Sequence, residues 1–169
     1  MGKTRAALMA FLDGLAIKTE TVEHPPLFTV AESQRLRGEL PGGHTKNLFL
    51  KDKKGAVFLL VAEEEADIDM KSLHRVIGSA RLSFGKPELL EALLGVTPGS
   101  VTPFAVINDA EQKVEVILDE ALLAHAELNF HPLDNSATTR IARGDLIAFL
   151  EATGHPPRIL SLQSASQTQ

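Results

Sequence analysis

The chain reads as a single α/β domain built on a mixed β-sheet, with hairpins among its strands and helices covering them. Three observations predict this. Helix-period apolar segments alternate with short apolar runs of strand length, and two of those runs bracket a polar turn that ends in glycine. The 169 residues, 44% apolar and 23% charged, also suit one core covering both faces of a sheet rather than two independent domains. The domain is expected to span residues 1–169, with a frayed polar tail from about 163.

Leu8, Phe11, Leu12 and Leu15 recur at i, i+3, i+4 and i+7, which predicts an amphipathic first helix from about Thr4 to Ile17. Basic residues precede this stretch, but Asp13 interrupts it and no cleavage-like pattern follows, so it reads as a helix of the fold and not a signal peptide. A short strand through Thr21 and Val22 ends at the turn signal His24-Pro25-Pro26. Thr29-Val-Ala-Glu32 has capping-box form and predicts a second helix to about Arg37, stopped by Gly38 and Pro41. Asn47 to Leu50 and Ala56 to Val61 flank Asp52-Lys-Lys-Gly55 as a β-hairpin, and their unbroken apolarity predicts cover on both faces. Glu63-Glu64-Glu65 reads as a solvated loop. Asp69 is expected to cap a helix carrying Met70, Leu73, Val76 and Ile77, with Gly78 as its stop.

A short strand around Leu82 and Phe84 leads to a helix from Pro87 to Leu94, with Gly95 just past its end. The loop from Val96 to Pro103 is expected to open a strand, Phe104 to Ile107, which a turn at Asn108 to Gln112 joins to Val114 to Leu118 as a second hairpin. Asp119 caps a helix to about Glu127. Extended chain from Phe130 to Leu133, a strand near Thr138 to Ile141, a helix from Asp145 to Ala152 stopped by Gly154, and a last strand from Arg158 to Leu160 complete the expected order.

Composition removes several function classes. With no Cys there are no disulfides, thiolate nucleophiles, zinc knuckles or iron–sulfur clusters, which suits a cytoplasmic location. No apolar run is long enough for a transmembrane helix, so no membrane role is expected. A net charge of −5 argues against bulk electrostatic coating of nucleic acid and against a DNA-binding role, leaving room for a local basic patch that grips a few phosphates. The signatures of P-loop nucleotide hydrolases, Rossmann enzymes, zincins and α/β-hydrolases are absent, and the six His are not paired at metal-site spacing. No metal or cofactor is expected.

Three places could carry chemistry. Lys46 follows Gly42-Gly43-His44-Thr45 and precedes a buried strand, so its ammonium is either an anchor for a phosphate or carboxylate or an ordinary solvated strand-end lysine. Gly99-Ser100-Val101-Thr102-Pro103 is either a cradle of backbone N–H donors for an oxyanion or a plain connection. His131, before Pro132, is held extended and would either hydrogen-bond a substrate or cap a neighbouring carbonyl. Glu32 could be a base or an amine anchor, although its capping-box position explains it structurally.

Taken in order, His24-Pro25 with Thr29 and Glu32, then Thr45-Lys46-Asn47-Leu48-Phe49-Leu50, then Gly99 to Pro103, then Phe130-His131-Pro132-Leu133-Asp134-Asn135, resemble the YbaK-like aminoacyl-tRNA editing family. The resemblance covers about Thr4 to Leu160, and from Phe130 onward it is closest to the free-standing alanyl-tRNA(Pro) deacylase branch. It implies trans-editing: hydrolysis of the ester in mischarged Ala-tRNA(Pro), with the tRNA acceptor end as partner and prolyl-tRNA synthetase as a further candidate partner. It assigns catalysis to Lys46, Gly99 and Ser100, and substrate binding to Asn47, Val101, Thr102, Pro103, His131 and Glu32. Alanine is smaller than proline, so a proline site cannot exclude it strongly and a second, smaller pocket must remove the error. An aminoacyl ester is already activated, so positioning a water and stabilising an oxyanion suffice without a strong nucleophile. Phosphate contacts are expected from Lys46, Lys51, Lys53, Lys54, Arg75 and Arg81. Two other readings stay open: another specificity on the same fold, such as Cys-, Ser- or non-protein aminoacyl-tRNA, and a non-catalytic aminoacyl- or tRNA-binding module.

Overall fold

A computed structural model describes residues 2–26 and 40–162. The expected helix from Thr29 to Arg37, Glu32 with it, and the tail from 163 lie outside the described residues. Helix α1 (Arg5–Gly14) opens on Thr4, whose hydroxyl accepts from the Ala7 N–H, and leads into strand β1 (Thr19–Glu23). Strands β2 (Gly43–Asp52) and β3 (Val57–Glu63) form the expected antiparallel hairpin. Its turn is held by the Asp52 carboxylate, which accepts from the N–H groups of Lys54 and Ala56 at 2.9 Å each and of Ala80 at 3.2 Å.

Helix α2 (Leu73–Ile77), strand β4 (Leu82–Phe84) and helix α3 (Pro87–Leu94) follow. Gly78 and Gly95 end the two helices at φ 82° and 67°, where a side chain would be strained. Helix α2 starts later than Asp69, because that carboxylate is spent on the Lys71 N–H and the Ser72 hydroxyl. The chain then continues through β5 (Val114–Asp119), β6 (Glu127–Phe130), β7 (Ala137–Ala142), α4 (Arg143–Ala152) and β8 (Arg158–Leu160).

The described strands form one mixed sheet in the order β1-β7-β6-β2-β3-β5-β8, with β4 on the outer side of β2. Strand β3 lies inside the sheet between β2 and β5, and its residues from Val57 to Ala62 are all buried. Val57, Leu59 and Val61 face a large core closed by α1, α3 and α4, where Phe149 packs edge-on against Phe11 and Phe104. Phe58, Leu60 and Ala62 face a smaller core closed by Leu73 and Ile77 of α2. This two-faced burial is what the unbroken apolar run predicts.

The second expected hairpin does not form. Residues Pro103–Asn108 make a 3₁₀ helix instead of a strand, because Pro103 sits at its first position and the Thr102 hydroxyl accepts from Phe104 N–H at 3.3 Å. Phe104, Ala105 and Val106 are consecutively buried, which a one-sided strand does not allow. Strand β5 therefore pairs in parallel with β3 on one side and β8 on the other. The helix expected after Asp119 shrinks to a 3₁₀ turn, Glu120–Ala124, since Glu127 already belongs to β6.

Candidate functional site at the divergence of two strands

Strand β2 has one continuous partner and one divided edge. Against β3 it pairs from Thr45 to Lys51. On the other edge β6 joins it in parallel only at Gly43 and His44, and β4 joins it at Leu50 to Asp52. The Glu64 N–H donates to the His44 carbonyl, and the Asp52 N–H to the Ala56 carbonyl, so even-numbered residues spend their main-chain groups on β3. Odd-numbered ones face the divided edge, where the Phe49 carbonyl accepts from the Gly85 N–H at 2.9 Å. Asn47 thus turns its main chain into the gap that opens where β2 and β6 part.

That gap is a cleft of about 240 Å³, and Lys46, Asn47, Gly99, Val101 and His131 all line it. Ligand pockets for drug-sized molecules usually measure roughly 300–1,000 Å³, so this one suits a smaller group. The Lys46 ammonium donates to the Ala66 carbonyl, which fixes it at the mouth and leaves two of its three hydrogens for a ligand. Asn47 Oδ1 is buried with no hydrogen-bond partner among the described residues. Such an orphaned acceptor costs about 1–3 kcal/mol and is relieved by a ligand that brings a donor.

His131 is oriented by its own loop. Its Nδ1–H donates to the Ala137 carbonyl at 2.9 Å, which leaves Nε2 as an acceptor. Burial pushes its pKa below the usual 6.5 and the His24 ring, 6.3 Å away, pushes the same way; the Ala137 bond and Asp134 oppose them. Asp134 holds the loop's far end. It receives a bidentate pair from Arg5 of α1, at 2.9 and 3.1 Å, and bonds from the Ser136 N–H and hydroxyl. These donors take its carboxyl down to about 2, against the opposing effect of burial, which is the largest single influence.

The loop after α3 contributes unevenly. The Ser100 N–H donates to the Thr97 carbonyl at 2.9 Å, closing a single 3₁₀ turn from Pro98 to Ser100. Side chains of Ser100, Thr102 and Pro103 are buried in the fold and do not line the cleft. Pro98, Gly99 and Val101 are the loop residues that reach it, and since proline has no N–H the main-chain donors this loop offers come from the other two. A Cβ at Gly99 would meet only Asn135 Nδ2, at 3.5 Å. Sequence reasoning did not single out Thr138, Asn129 or Glu64, all of which line the cleft; Glu64 belongs to the acidic run read as a solvated loop. Thr138 anchors His24 Nε2 at 2.9 Å, and Asn129 donates to the Pro41 and Gly43 carbonyls. Only the juxtaposition of β6 and β7 with β2 could have exposed them.

Residues 24–149 match the model of the aminoacyl-tRNA editing domain. A zebrafish (Danio rerio) protein named prolyl-tRNA synthetase associated domain-containing protein 1 is 42% identical over 159 residues, covering 93% of this chain and 86% of the relative. The prolyl-tRNA editing protein ProX of Acetoanaerobium sticklandii is 38% identical over 159 residues, covering 94% and 97%. Among solved structures, one described as a candidate trans-editing enzyme for prolyl-tRNA synthetase superposes with a TM-score of 0.69 at 24% identity, over 94% of this chain and 98% of that one, a likeness of fold. Family model and relatives together place this chain in the aminoacyl-tRNA editing domain family, among its prolyl-tRNA editing members.

Proposed function

We propose that the protein is a trans-editing deacylase that hydrolyses the ester of mischarged Ala-tRNA(Pro). The observation that carries this reading is the convergence of Lys46, Asn47, the Gly99–Val101 main chain and His131 on one small cleft. In this reading the Lys46 ammonium grips an oxygen of the terminal adenosine or its phosphate. The N–H groups of Gly99 and Val101 polarise the ester carbonyl and stabilise the oxyanion. Asn47 Oδ1 and neutral His131 Nε2, both acceptors, receive the α-ammonium of the amino acid. Water adds to the carbonyl carbon, the bond to the ribose oxygen breaks, and that oxygen takes a proton to leave free alanine and uncharged tRNA.

The small cleft supports alanine over a bulkier residue. A second specificity, for seryl esters, is favoured by the buried Asn47 acceptor, which a side-chain hydroxyl would also satisfy. Deacylation assays on Ala-, Ser- and Pro-tRNA(Pro) separate the two. Lys46→Ala is expected to slow Ala-tRNA(Pro) hydrolysis at least 100-fold by the scale of electrostatic contributions, roughly 3 kcal/mol, with little change in thermal midpoint. Full activity in Lys46→Ala would remove the lysine from the mechanism.

A further inference from the structure

In the deacylation proposed for this cleft the attacking water has no protein partner, and His24, the first residue of the His24-Pro25 motif, has no task. The sheet places that histidine. Strand β1 pairs with β7 from Thr19 to Glu23, opposite Ile141 to Ala137, and the His24 N–H extends the ladder by donating to the Ser136 carbonyl at 2.9 Å. Successive side chains of β7 point to opposite faces. Thr139 is fully buried and its hydroxyl meets that of Thr21 at 2.8 Å, whereas Thr138, 8% exposed, lines the cleft together with His131.

Elimination fixes the hydrogen-bond roles around His24. A carbonyl oxygen only accepts, so the contact of Nδ1 with the Pro25 carbonyl at 2.9 Å puts the hydrogen of the neutral ring on Nδ1 and leaves Nε2 bare. The Thr138 hydroxyl, 2.9 Å from Nε2, is then the donor. Its one hydrogen is engaged there, it has no other hydrogen bond among the described residues, and it offers the cleft only lone pairs. Hydroxyl, imidazole and carbonyl are the parts of an activated hydroxyl: an oxygen that can take a proton, a base for the proton it gives up, and a group that orients the base. His131 repeats the bond from Nδ1 to a carbonyl, but its ring is the poorer home for a proton. Burial disfavours its imidazolium, and in the proposed chemistry its Nε2 already receives the substrate's α-ammonium.

We infer that Thr138 and His24 together are the base that activates the attacking water. The inference rests on the proposed function for its substrate, an aminoacyl ester. Water donates to Thr138 Oγ1. As the water oxygen bonds to the carbonyl carbon, its proton passes to Oγ1 and the hydroxyl's own proton passes to His24 Nε2, giving an imidazolium whose Nδ1–H still bonds Pro25. When the tetrahedral intermediate collapses, the bond to the ribose oxygen breaks and the proton returns by the same route to that oxygen, leaving a free carboxylic acid and neutral His24. Thr138 touches the water and is the catalytic residue of the pair; His24 acts through it as a positioning residue and proton acceptor.

Single-turnover deacylation of Ala-tRNA(Pro) over a range of protein concentrations compares wild type with Thr138→Val, Thr138→Ser, His24→Phe and the Thr138→Val/His24→Phe double variant. Valine keeps the branched shape without the hydroxyl, and phenylalanine keeps a ring without the accepting nitrogen. The saturating rate constant is expected to fall about 100-fold or more in Thr138→Val and in His24→Phe, the scale of general-base catalysis, while Thr138→Ser stays within about tenfold of wild type. The half-saturating protein concentration should move less than about threefold, and the double variant should be no slower than either single one, because two parts of one unit do not add. An unchanged rate in Thr138→Val, a loss confined to the half-saturating concentration, or losses that multiply in the double variant would overturn the inference. An alanyl ester on Thr138, seen by mass spectrometry after acid quench, would make it the nucleophile and overturn it equally. Circular dichroism checks the folds, and if His24→Phe does not fold, Thr138→Val against Thr138→Ser decides alone. Wild type inactive on Ala-, Ser- and Pro-tRNA(Pro) sinks the deacylase reading and the relay with it; active wild type with a fully active Thr138→Val sinks the relay alone.

Discussion

His131 acts as an acceptor only while neutral, and its surroundings set the pH at which that ends. Burial lowers its pKa beneath 6.5, so the neutral form prevails at pH 7 and is lost as pH falls through that lowered value. We expect the kcat/KM profile for deacylation to be flat near neutrality and to drop on an acid limb below pH 6.5; a profile with no acid limb down to the pH at which the protein unfolds would assign His131 a purely structural place. The stability linkage runs the same way: the folded state disfavours the imidazolium, so stability declines on the acid side of the unfolded value. Arg5 is a positioning residue in this scheme. In Arg5→Gln, Asp134 loses the cation that neutralises it, and its charge then bears more strongly on His131 and raises the histidine's pKa. The acid limb should move to higher pH, which a merely structural defect would not produce. The Asp134 carboxylate itself contributes stability above its ordinary 3.8, and that contribution fades as pH falls toward about 2.

Elements near strong local signals were legible in the sequence, and those fixed by distant partners were not. Pro87 and Gly95 bound α3 where expected, and the Asp52–Gly55 turn formed the first hairpin, because each signal acts over a few residues. Phe104 to Ile107 failed as a strand because its apolarity comes from filling the core between α3 and α4, which the local pattern cannot distinguish from a sheet. The same limit applies to the site: Lys46, Gly99 and His131 carried weak local signals, and only the parting of β2 from β6 joins them. One connection no motif announces is the buried pair of His155, after α4, and Asp109, before β5, at 2.9 Å. Asp109 also accepts from the Lys113 and Val114 N–H groups, so it fastens the turn entering β5 to the end of α4. Asp109→Ala strips partners from a buried ring and two backbone donors. A loss of about 3–5 kcal/mol in urea unfolding is expected, against a near-neutral effect for Glu111→Ala on the surface.

At the scale of the whole molecule, the family match begins at residue 24, yet the segment before it is integral to the fold. Helix α1 buries Leu8 and Leu12 in the main core and sends Arg5 to the His131 loop, while β1 closes the sheet against β7. No described helix is long and apolar enough to cross a membrane. The pairing of β1 with β7 matches Thr19 to Ile141 and Glu23 to Ala137, segments separated by most of the chain. On the ribosome, β1 leaves the exit tunnel well before its partner exists; at about 5–20 residues per second the interval is roughly 6–24 s. Through that wait it is an unpaired edge in a crowded cell. Its sequence, Thr-Glu-Thr-Val-Glu, carries two carboxylates and a single aliphatic side chain, which keeps it soluble and unattractive to other nascent strands until β7 arrives.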